Sequence, residues 1–509
     1  MTYTVPHCIG QQKIIDHHAP RLPIHNPADG QIIGEICIAN SELCDQAVLK
    51  AEAAFQQWSQ TTPSKRMQIL FDFREILIKE RAILAEIVTR EHGKTIEDAK
   101  GSIARGIELV EFHCGLLNQV QGTWTANVSQ HIDCATMRQP LGVCAGASPF
   151  NFPVMVPLWM MIPAIAYGNT FILKPSEQTP SATNQLLEYL LQAGLPEGVV
   201  NIIHGDKTTV DYLLKHPKIR AFTAVASTPV AQSIYETAIQ QGKRSMTFGG
   251  AKNHAVIMPD TNLEQTAKAL VGAAFGSAGE RCMAISVAVA VTDSLADALV
   301  ARLVPLIQAI RVDSGVQASC DMGPLISAKQ RARVLSLIEE GVNAGAELIV
   351  DGRAFTHPIS PQGFYLGPSL FDKVSEEMSI YQEEIFGPVL LIKRVQSFEE
   401  ALQVVNHNPY GNGTAIFTES GYYAHEFSRL VTVGMVGVNV PIPVPIASHP
   451  FGGWKRSSFG DNGMHGSESI HFYTKLKTIT SRWTECQSTS QKEDTSQLFS
   501  MPTHQGEGS

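Results

Sequence analysis

The period of the hydrophobic positions along residues 141–248 switches repeatedly between that of a strand and that of a helix. Strands are predicted at 141–147, 170–173, 199–203, 221–226 and 246–248. Helices are predicted between them, at 153–167, 181–193, 208–215 and 229–241. Strands that alternate with helices are joined by right-handed crossovers, so this region is expected to form a parallel sheet with helices on both faces.

A second alternating series begins after Lys252. Its predicted strands cover 286–291, 348–350, 389–392, 414–417 and 435–439, and its predicted helices cover 263–275, 295–309 and 328–344. Residues 45–120 are expected to be helical, because apolar side chains repeat there at helical spacing. The chain is therefore expected to be an α/β protein with two doubly wound domains.

Three further segments fit neither series. Residues 126–137 and 470–481 alternate like long antiparallel strands, which we expect to form a small β element that pairs across subunits. From Cys486 onwards Ser, Gln, Thr and Gly dominate, so the tail at 485–509 is predicted to be disordered.

Composition narrows the class of protein. The 509 residues carry a net charge of -9 and show no basic run, which argues against a nucleic-acid surface. The nine cysteines are odd in number and contain no Cys-x-x-Cys pair, so neither a disulfide framework nor a zinc site is expected. Because the first ten residues lack the pattern of a signal peptide, a cytoplasmic location is expected.

One apolar window has the length of a membrane span. No charged residue occurs between Arg138 and Lys174, but Pro149, Pro153, Pro157 and Pro163 interrupt this stretch. Proline breaks helical hydrogen bonding, so a buried strand, loop and helix are favoured over a membrane span.

Candidate chemistry begins with Cys282. It follows a loop of small residues, Phe275 to Gly279, and stands directly after Arg281. A thiol in such a loop is accessible to a substrate, and the adjacent guanidinium is expected to favour its nucleophilic, ionised form. The alternative is a buried cysteine that packs as a small hydrophobic side chain.

A second candidate feature follows the predicted strand that ends at Ala226. Ser227 and Pro229 are typical of a helix start, and the free N–H groups of such a start can face a phosphate. No Gly-x-Gly-x-x-Gly motif follows any predicted strand, and no Walker-type loop occurs. A dinucleotide could still bind at the carboxyl edge of the first sheet, where such sheets bind ligands.

Four motifs together resemble the aldehyde dehydrogenase superfamily, in their order and near their usual spacing. They are Ser148-Pro149-Phe150-Asn151-Phe152-Pro153, Lys174-Pro175-Ser176-Glu177, Gly279-Glu280-Arg281-Cys282 and Glu383-Glu384-Ile385-Phe386-Gly387-Pro388. The likeness extends from about residue 22 to about residue 484. Within the superfamily, three segments are similar to the CoA-acylating methylmalonate-semialdehyde dehydrogenases: Gly250 to His254, Phe275 to Met283 and Phe472 to Lys475.

The resemblance implies roles for two catalytic residues. Cys282 matches the nucleophile that attacks the aldehyde carbon. Asn151 matches the residue whose amide holds the developing oxyanion, together with the Cys282 N–H. The alternative for Asn151 is a loop asparagine that caps a turn.

The resemblance also implies NAD as the cofactor. Lys174 and Glu177 match the ligands of the adenosine ribose, and a carboxylate there favours NAD over NADP. Without the resemblance, these two residues would be interpreted as a surface ion pair. The other positions that match the cofactor cleft are Ser148, Phe150, Gln178, Ser227, Gly249, Glu384 and Phe386.

Two positions depart from the family pattern. Ala226 stands where glycine is usual, and its methyl group is expected to hinder close approach of the pyrophosphate. Phe248 stands where hydrolytic members carry a glutamate base. Water, with a pKa near 15.7, needs such a base, whereas a thiol with a pKa of about 8.5 needs far less help. The acceptor is therefore expected to be coenzyme A, unless Glu280 or Glu384 serves as the base.

A substrate that carries a carboxylate requires a positively charged side chain to bind it. Arg105 and Arg281 are the candidates, because a guanidinium binds a carboxylate bidentately. Arg105 stands in an Arg-Gly context that recurs in the subfamily, but it could equally be a solvated residue of its helix.

The resemblance implies oxidation of methylmalonate and malonate semialdehydes to propionyl-CoA and acetyl-CoA, through a cysteine thioester and decarboxylation. It also implies a homotetramer, and no metal.

The domains are expected to be an NAD-binding domain at 1–125 and 140–251, a catalytic domain at 252–465, and oligomerisation strands at 126–139 and 466–484. Alternatives are a hydrolytic semialdehyde dehydrogenase and a non-catalytic descendant. The choice among valine, inositol and β-alanine breakdown stays open.

Overall fold

The structure is a computed structural model that describes residues 2–483. The predicted disordered tail at 485–509 lies outside the described residues. The first half of the chain contains strands β1 (Tyr3–Val5), β2 (His7–Ile9), β3 (Gln12–Ile14), β4 (Arg21–His25), β5 (Ile32–Cys37), β6 (Trp124–Ser129), β7 (Ile132–Pro140), β8 (Val143–Ala147), β9 (Thr170–Lys174), β10 (Val200–Ile202), β11 (Ile219–Val225) and β12 (Arg244–Phe248). Its helices are α1 (Ser41–Trp58), α2 (Pro63–Lys79), α3 (Arg81–His92), α4 (Ile96–His113), α5 (Leu116–Gln119), α6 (Met155–Ala166), α7 (Ser181–Gln192), α8 (Lys207–Lys215) and α9 (Thr228–Gln240).

The second half continues the alternation. Its strands are β13 (Asn253–Ile257), β14 (Ile285–Val291), β15 (Glu347–Val350), β16 (Ser369–Asp372), β17 (Val389–Val395), β18 (Tyr410–Gly411), β19 (Gly413–Phe417), β20 (Met435–Val438), β21 (Trp454–Lys455), β22 (Ser458–Phe459) and β23 (Thr474–Arg482). Its helices are α10 (Leu263–Phe275), α11 (Asp293–Gln308), α12 (Ala328–Asn343), α13 (Ser379–Gln382), α14 (Phe398–His407), α15 (Gly421–Leu430) and α16 (Ser467–Tyr473).

The first sheet has eight strands in the order β22-β12-β11-β8-β9-β10-β2-β3. Its five central strands run parallel, as the alternating pattern predicts. The edges are antiparallel and come from distant segments, β22 on one side and β2 with β3 on the other. These short edge strands lack a long apolar run, so the sequence pattern does not indicate them.

The second sheet has seven strands in the order β15-β16-β17-β14-β13-β19-β20. All neighbours run parallel except the edge pair β15 and β16. Strands β13 and β16 are absent from the predicted set. Strand β13 opens with Asn253 and His254, which are buried polar residues that interrupt the apolar run. The prediction of two doubly wound α/β units is confirmed, while the exact domain boundaries stay a prediction.

The predicted long strands are only partly correct. Residues 126–137 are a hairpin, because the chain turns between β6 and β7 with a positive φ of 58° at His131. Residues 470–473 belong to α16, and the strand β23 begins only at Thr474. Strands β23, β7 and β6 then form one antiparallel sheet within the chain.

The apolar window between Arg138 and Lys174 folds as β8, a loop, α6 and β9. Every residue of α6 is buried, so this helix belongs to the protein core. Within the part of the chain that the structure describes, no helix has the length and apolar character needed to cross a membrane.

Asn169 joins these elements at the base of the first sheet. Its Oδ1 accepts hydrogen bonds from the N–H groups of Leu141 (2.7 Å) and Gly142 (3.1 Å). Its Nδ2 donates to the carbonyl oxygens of Ala164 (3.1 Å) and Tyr473 (2.9 Å). One fully buried amide therefore links β8, α6 and the segment that leads into β23.

We predict that Asn169→Ala destabilises the protein by roughly 3 kcal/mol, because it leaves several buried backbone groups without partners. The free energy of unfolding is measured by urea denaturation, with Asn118→Ala, an exposed position on α5, as the matched control. Equal stability of the two variants would contradict the role assigned to Asn169.

Candidate active site

A cavity of 770 Å³ lies at the carboxyl edge of the first sheet. Strands β8, β9, β11 and β12 end there, which is where doubly wound sheets bind ligands. All eleven positions that the sequence assigns to catalysis or to the cofactor line this cavity: Ser148, Phe150, Asn151, Lys174, Glu177, Gln178, Ser227, Gly249, Cys282, Glu384 and Phe386. Ala226 lines it as well.

Cys282 reaches the cavity on a strained loop that follows α10. Ser277 and Ala278 adopt positive φ values of 56° and 52°. Gly279 also has a positive φ, and a Cβ there would overlap the carbonyl oxygen of Gly387. Such strain persists only where the surroundings impose it, as they do in functional loops.

The carbonyl group of Cys282 is held from the second sheet. The side-chain amides of Asn253 and Asn412 donate to its oxygen at 2.9 and 3.0 Å. The Asn253 amide also donates to the carbonyl oxygen of Ala284 and accepts from the N–H of Gly413. Cys282 is therefore positioned through its backbone, which leaves the thiol free to face the cavity.

Asn151 joins Cys282 to the first sheet. Its Nδ2 donates to the carbonyl oxygen of Glu280 at 3.0 Å and lies 3.5 Å from the Cys282 Sγ. The amide is itself buried, so its orientation is defined by these bonds. The two motifs that the sequence places 131 residues apart thus meet at one point.

Burial raises the pKa of the Cys282 thiol to about 11, while the hydrogen bond from Asn151 acts in the opposite direction. The expectation that Arg281 favours the thiolate is not met. The Arg281 guanidinium instead binds the Asp98 carboxylate, with 2.8 Å between Nη2 and Oδ1. The carboxylate offsets the positive charge of Arg281, and the thiol is protonated near neutral pH in this state.

One buried polar atom of the large cavity lacks a protein partner, which fits a bound polar ligand. The buried Oγ of Ser148 has no hydrogen-bond partner among the described residues. Ser227 occupies the N-cap position of α9, but its side chain makes no capping bond. Lys174 and Glu177 form the ion pair that the spacing suggests, at 2.9 Å, and both line the cavity. The residues present therefore fit a dinucleotide.

Glu384 and Phe386 lie at the Cys282 end of this cavity. The Oε1 of Glu384 accepts a hydrogen bond from the N–H of Ala251 at 2.9 Å. Burial raises the pKa of Glu384 to about 7. The Phe386 ring meets Phe150 edge to face, with 5.9 Å between the ring centroids.

A second cavity of 360 Å³ meets the first at Cys282. Its walls are mostly apolar and include the side chains of Phe152, Trp159 and Phe451. Arg105 and Arg281 line the same cavity, together with Asp98, the carboxylate that binds Arg281. The structure therefore brings both predicted carboxylate ligands to one chamber beside the thiol.

Arg105 is not simply a solvated helix residue. Its Nη1 forms an ion pair with Glu108 at 2.6 Å. Its Nη2 donates to the carbonyl oxygens of Val444 and Pro445, at 3.0 and 2.6 Å. Arg105 therefore fixes the loop that forms one wall of the second cavity.

No carboxylate occupies the position of the hydrolytic base. Phe248 is buried and packs edge to face against Phe451, with 6.1 Å between ring centroids. The Glu280 carboxyl group is buried, accepts from the N–H of Ile326, and burial raises its pKa well above the usual range. Of the two alternative bases, only Glu384 lines the cavity with Cys282.

Sequence analysis missed Lys94, Asn253 and Asn412, which contact the backbone of Asn151 or of Cys282. Lys94 follows Gly93, the left-handed C-cap residue that ends α3, and a lysine at that point normally suggests solvent exposure. The two asparagines stand at strand starts, where polar residues are common. Among the described residues, no cluster of three or more His, Cys, Asp or Glu side chains suits a metal ion.

Comparison with known proteins gives consistent results. The model of the aldehyde dehydrogenase family matches residues 14–479. The chain is 50% identical over 480 residues to a malonate-semialdehyde dehydrogenase of Pseudomonas aeruginosa, which covers 94% of this chain and 96% of that protein.

Two solved structures share the fold. A methylmalonate-semialdehyde dehydrogenase of Oceanimonas doudoroffii is 45% identical, with a TM-score of 0.94 and coverage of 96% and 99% of the two chains. A Sinorhizobium meliloti structure complexed with NAD, also described as a methylmalonate-semialdehyde dehydrogenase, is 47% identical, with a TM-score of 0.94 and coverage of 95% and 99%. The predicted aldehyde-dehydrogenase-like fold is thereby confirmed.

The match over nearly the whole chain agrees with the meeting of the cysteine and asparagine motifs at one cavity, and the chain belongs to the aldehyde dehydrogenase family of oxidoreductases.

Proposed function

We propose that this protein is an NAD-dependent, CoA-acylating dehydrogenase of malonate and methylmalonate semialdehydes. The observation that carries the proposal is the meeting of two cavities at Cys282, one fitted to a dinucleotide and one lined by Arg105 and Arg281. The names of the similar proteins from Pseudomonas aeruginosa and Oceanimonas doudoroffii support this substrate class.

The large cavity is where NAD would be held. Lys174 and Glu177 would bind the adenosine ribose, and Ser227 with the start of α9 would bind the pyrophosphate. Glu384 and Phe386 would contact the nicotinamide half. When bound, NAD supplies the acceptor for the hydride that leaves the substrate.

The chain itself supplies the nucleophile and the oxyanion site. The Cys282 thiolate attacks the aldehyde carbon, and the carbonyl oxygen becomes an oxyanion. The Asn151 amide and the Cys282 N–H donate hydrogen bonds to this oxygen, which stabilises the charge without any protonation step. Loss of hydride from the carbon then leaves a thioester on Cys282.

Decarboxylation and transfer to CoA follow the hydride transfer, and they involve Arg105, Arg281 and the thioester on Cys282. Arg281 and Arg105 hold the carboxylate of the substrate while the thioester forms. The bond to that carboxylate then breaks, carbon dioxide leaves, and the thioester carbonyl accepts the electron pair before a proton reaches the carbon. The thiol of CoA finally attacks the thioester, which gives acetyl-CoA or propionyl-CoA and frees Cys282.

The second candidate function is hydrolysis. It is favoured by one observation, the position of Glu384 in the cavity with a pKa raised to about 7 by burial. A carboxylate of that pKa could activate water. The absence of a carboxylate at Phe248 favours CoA over water as the acceptor.

We also propose that the protein is a homotetramer. The three-stranded sheet of β23, β7 and β6 exposes large apolar side chains, with Trp124 at 70% and Leu476 at 57% exposure. Exposed apolar residues clustered on one sheet are typical of a subunit interface.

The first prediction from the proposed function concerns the nucleophile. Cys282→Ala is expected to reduce NADH formation from malonate semialdehyde by at least about a thousandfold, because no other group can form the thioester. Cys134→Ala, at a half-exposed cysteine on β7, is the control and should retain full activity. Unchanged NADH formation in the Cys282 variant would exclude this residue as the nucleophile.

The second prediction concerns the acceptor. Without CoA, we expect one equivalent of NADH per active site followed by slow turnover, and the acyl-CoA product forms only when CoA is added. Phe248→Glu places a base where hydrolytic relatives have one and is expected to raise the CoA-independent rate.

A different pattern would support hydrolysis. In that case the wild-type protein turns over at full rate without CoA, and the rate rises with pH as Glu384 loses its proton near pH 7. Glu384→Gln would then abolish the CoA-independent rate, because an amide cannot accept the proton.

The third prediction concerns assembly. Leu476→Glu is expected to convert the tetramer to smaller species, because burying a carboxylate in an apolar interface is costly. Size-exclusion chromatography with light scattering measures the mass, and Ile359→Glu, at an 87% exposed position outside this sheet, is the control. A tetramer that survives the Leu476 substitution would contradict the proposed interface.

A further inference from the structure

Lys94 is a fully buried lysine behind the catalytic loops, with 1% of its surface exposed. Its Nζ donates to the carbonyl oxygen of Asn151 at 2.7 Å. The same ammonium group lies 4.3 Å from the centroid of the Phe152 ring. It lies 4.0 Å from the Oδ2 of Asp98. Lys94 therefore contacts the backbone of the residue whose amide reaches Cys282.

Packing alone does not explain a lysine at this position. Removing an ammonium group from water is costly, and an apolar side chain of similar length would fill the space without that cost. The carbonyl group of Asn151 and the face of the Phe152 ring recover only part of the lost hydration. A buried cation that is retained at such a cost, next to a catalytic group, is a candidate for function.

The charges around Lys94 do not cancel. Asp98 is bound to Arg281, so one carboxylate faces two cations. His92 and Glu280 face one another, with 4.0 Å between Nε2 and Oε2. Burial lowers the pKa of His92 and raises the pKa of Glu280, which favours the neutral form of each, and the pair contributes no net charge. The titratable and charged groups that face Lys94 are His92, Asp98, Glu280, Arg281 and Cys282. The cluster therefore carries one excess positive charge beside the thiol.

We propose that Lys94 is a positioning residue with two effects on Cys282. Its hydrogen bond fixes the Asn151 backbone, so that the Asn151 amide faces the sulfur. Its uncancelled charge favours the thiolate and the oxyanion that forms beside it. This inference rests on the proposed function only through the assignment of Cys282 as the nucleophile.

The pH dependence follows from the state of the ammonium group. The pKa of Lys94 is lowered to about 8, first by burial, although the nearby Asp98 acts in the opposite direction. Below that pH the ammonium is charged and favours ionisation of the thiol. Above it the charge is lost, and with it the electrostatic assistance to Cys282.

The test measures how fast iodoacetamide, an uncharged probe, alkylates Cys282 at pH values from about 6 to about 9. Lys94→Met is expected to slow alkylation at pH 7 by about tenfold, which corresponds to a rise of one unit in the thiol pKa. The wild-type and variant rates should approach one another above pH 8, because the wild-type Lys94 is then neutral. Mass spectrometry of the Cys282 peptide gives the rate.

Lys243→Met is the matched control. Lys243 is also buried, its Nζ donates to the carbonyl oxygens of His216 and Ile219 at 2.6 and 2.9 Å, and burial lowers its pKa to about 8. It lines neither cavity that contains Cys282. Its variant should therefore alkylate like the wild type, even if both lysine variants lose stability.

If Lys94→Met does not fold, a second variant, which removes a negative charge from the cluster instead of a positive one, tests the proposal. Asp98→Asn removes the one carboxylate of the cluster and should accelerate alkylation of Cys282 several-fold. Lys94→Arg keeps the charge and should retain most of the wild-type rate below pH 8. A purely structural role would slow alkylation in the Asp98 variant as well.

Two results would overturn the proposal. One is a Lys94→Met rate equal to that of Lys243→Met at pH 7. The other is a reduction of the same size at every pH, which would show that the charge is not involved. The assay contains no aldehyde, NAD or CoA, so its outcome is independent of the substrate and acceptor proposed above.

Discussion

The hydrogen bonds from the Asn151 amide to the cysteine loop are the interaction on which the site depends. Asn151 follows β8 of the first sheet, whereas Cys282 precedes β14 of the second. One amide group lies 3.0 Å from the Glu280 carbonyl oxygen and 3.5 Å from the Cys282 Sγ, and it joins the two sheets at the reacting atom. A shift of one sheet relative to the other would therefore move the Asn151 amide away from the Cys282 sulfur.

Enclosure of the Cys282 thiol has two opposing consequences. The thiol must be enclosed to exclude water, but enclosure raises its pKa to about 11 and disfavours the nucleophilic form. The Asn151 amide and the buried charge of Lys94 both act against this cost. The apolar contact between Phe248 and Phe451 keeps a water-activating carboxylate out of the same region. Under the proposed function, these features together favour a thioester that water removes slowly.

Much of this architecture could be predicted from the chain. Most parallel strands of both sheets carry apolar runs, and such runs predict buried parallel strands well. The central strand β13 is an exception, because the buried polar residues Asn253 and His254 interrupt its run. The antiparallel edge strands of the first sheet could not be predicted, because they depend on pairing with distant segments. The turn of the hairpin near His131 contains neither glycine nor proline, so no local signal marks it. The helical start of 470–481 was not predicted either, because the alternation of that segment is typical of a strand. Lys94 was missed for a related reason. Its burial results from contact with Asn151 and Asp98, and no local pattern indicates that a lysine after a helix end is covered by another loop.

The proposed function requires an acyl group on Cys282 that water removes poorly. It is tested most directly by the mass of the intact protein after incubation with malonate semialdehyde and NAD, with no CoA present. The account predicts that each chain gains the mass of one acetyl group, located on Cys282, and loses it when CoA is added. Free acid released over many turnovers from a protein of unchanged mass would contradict it.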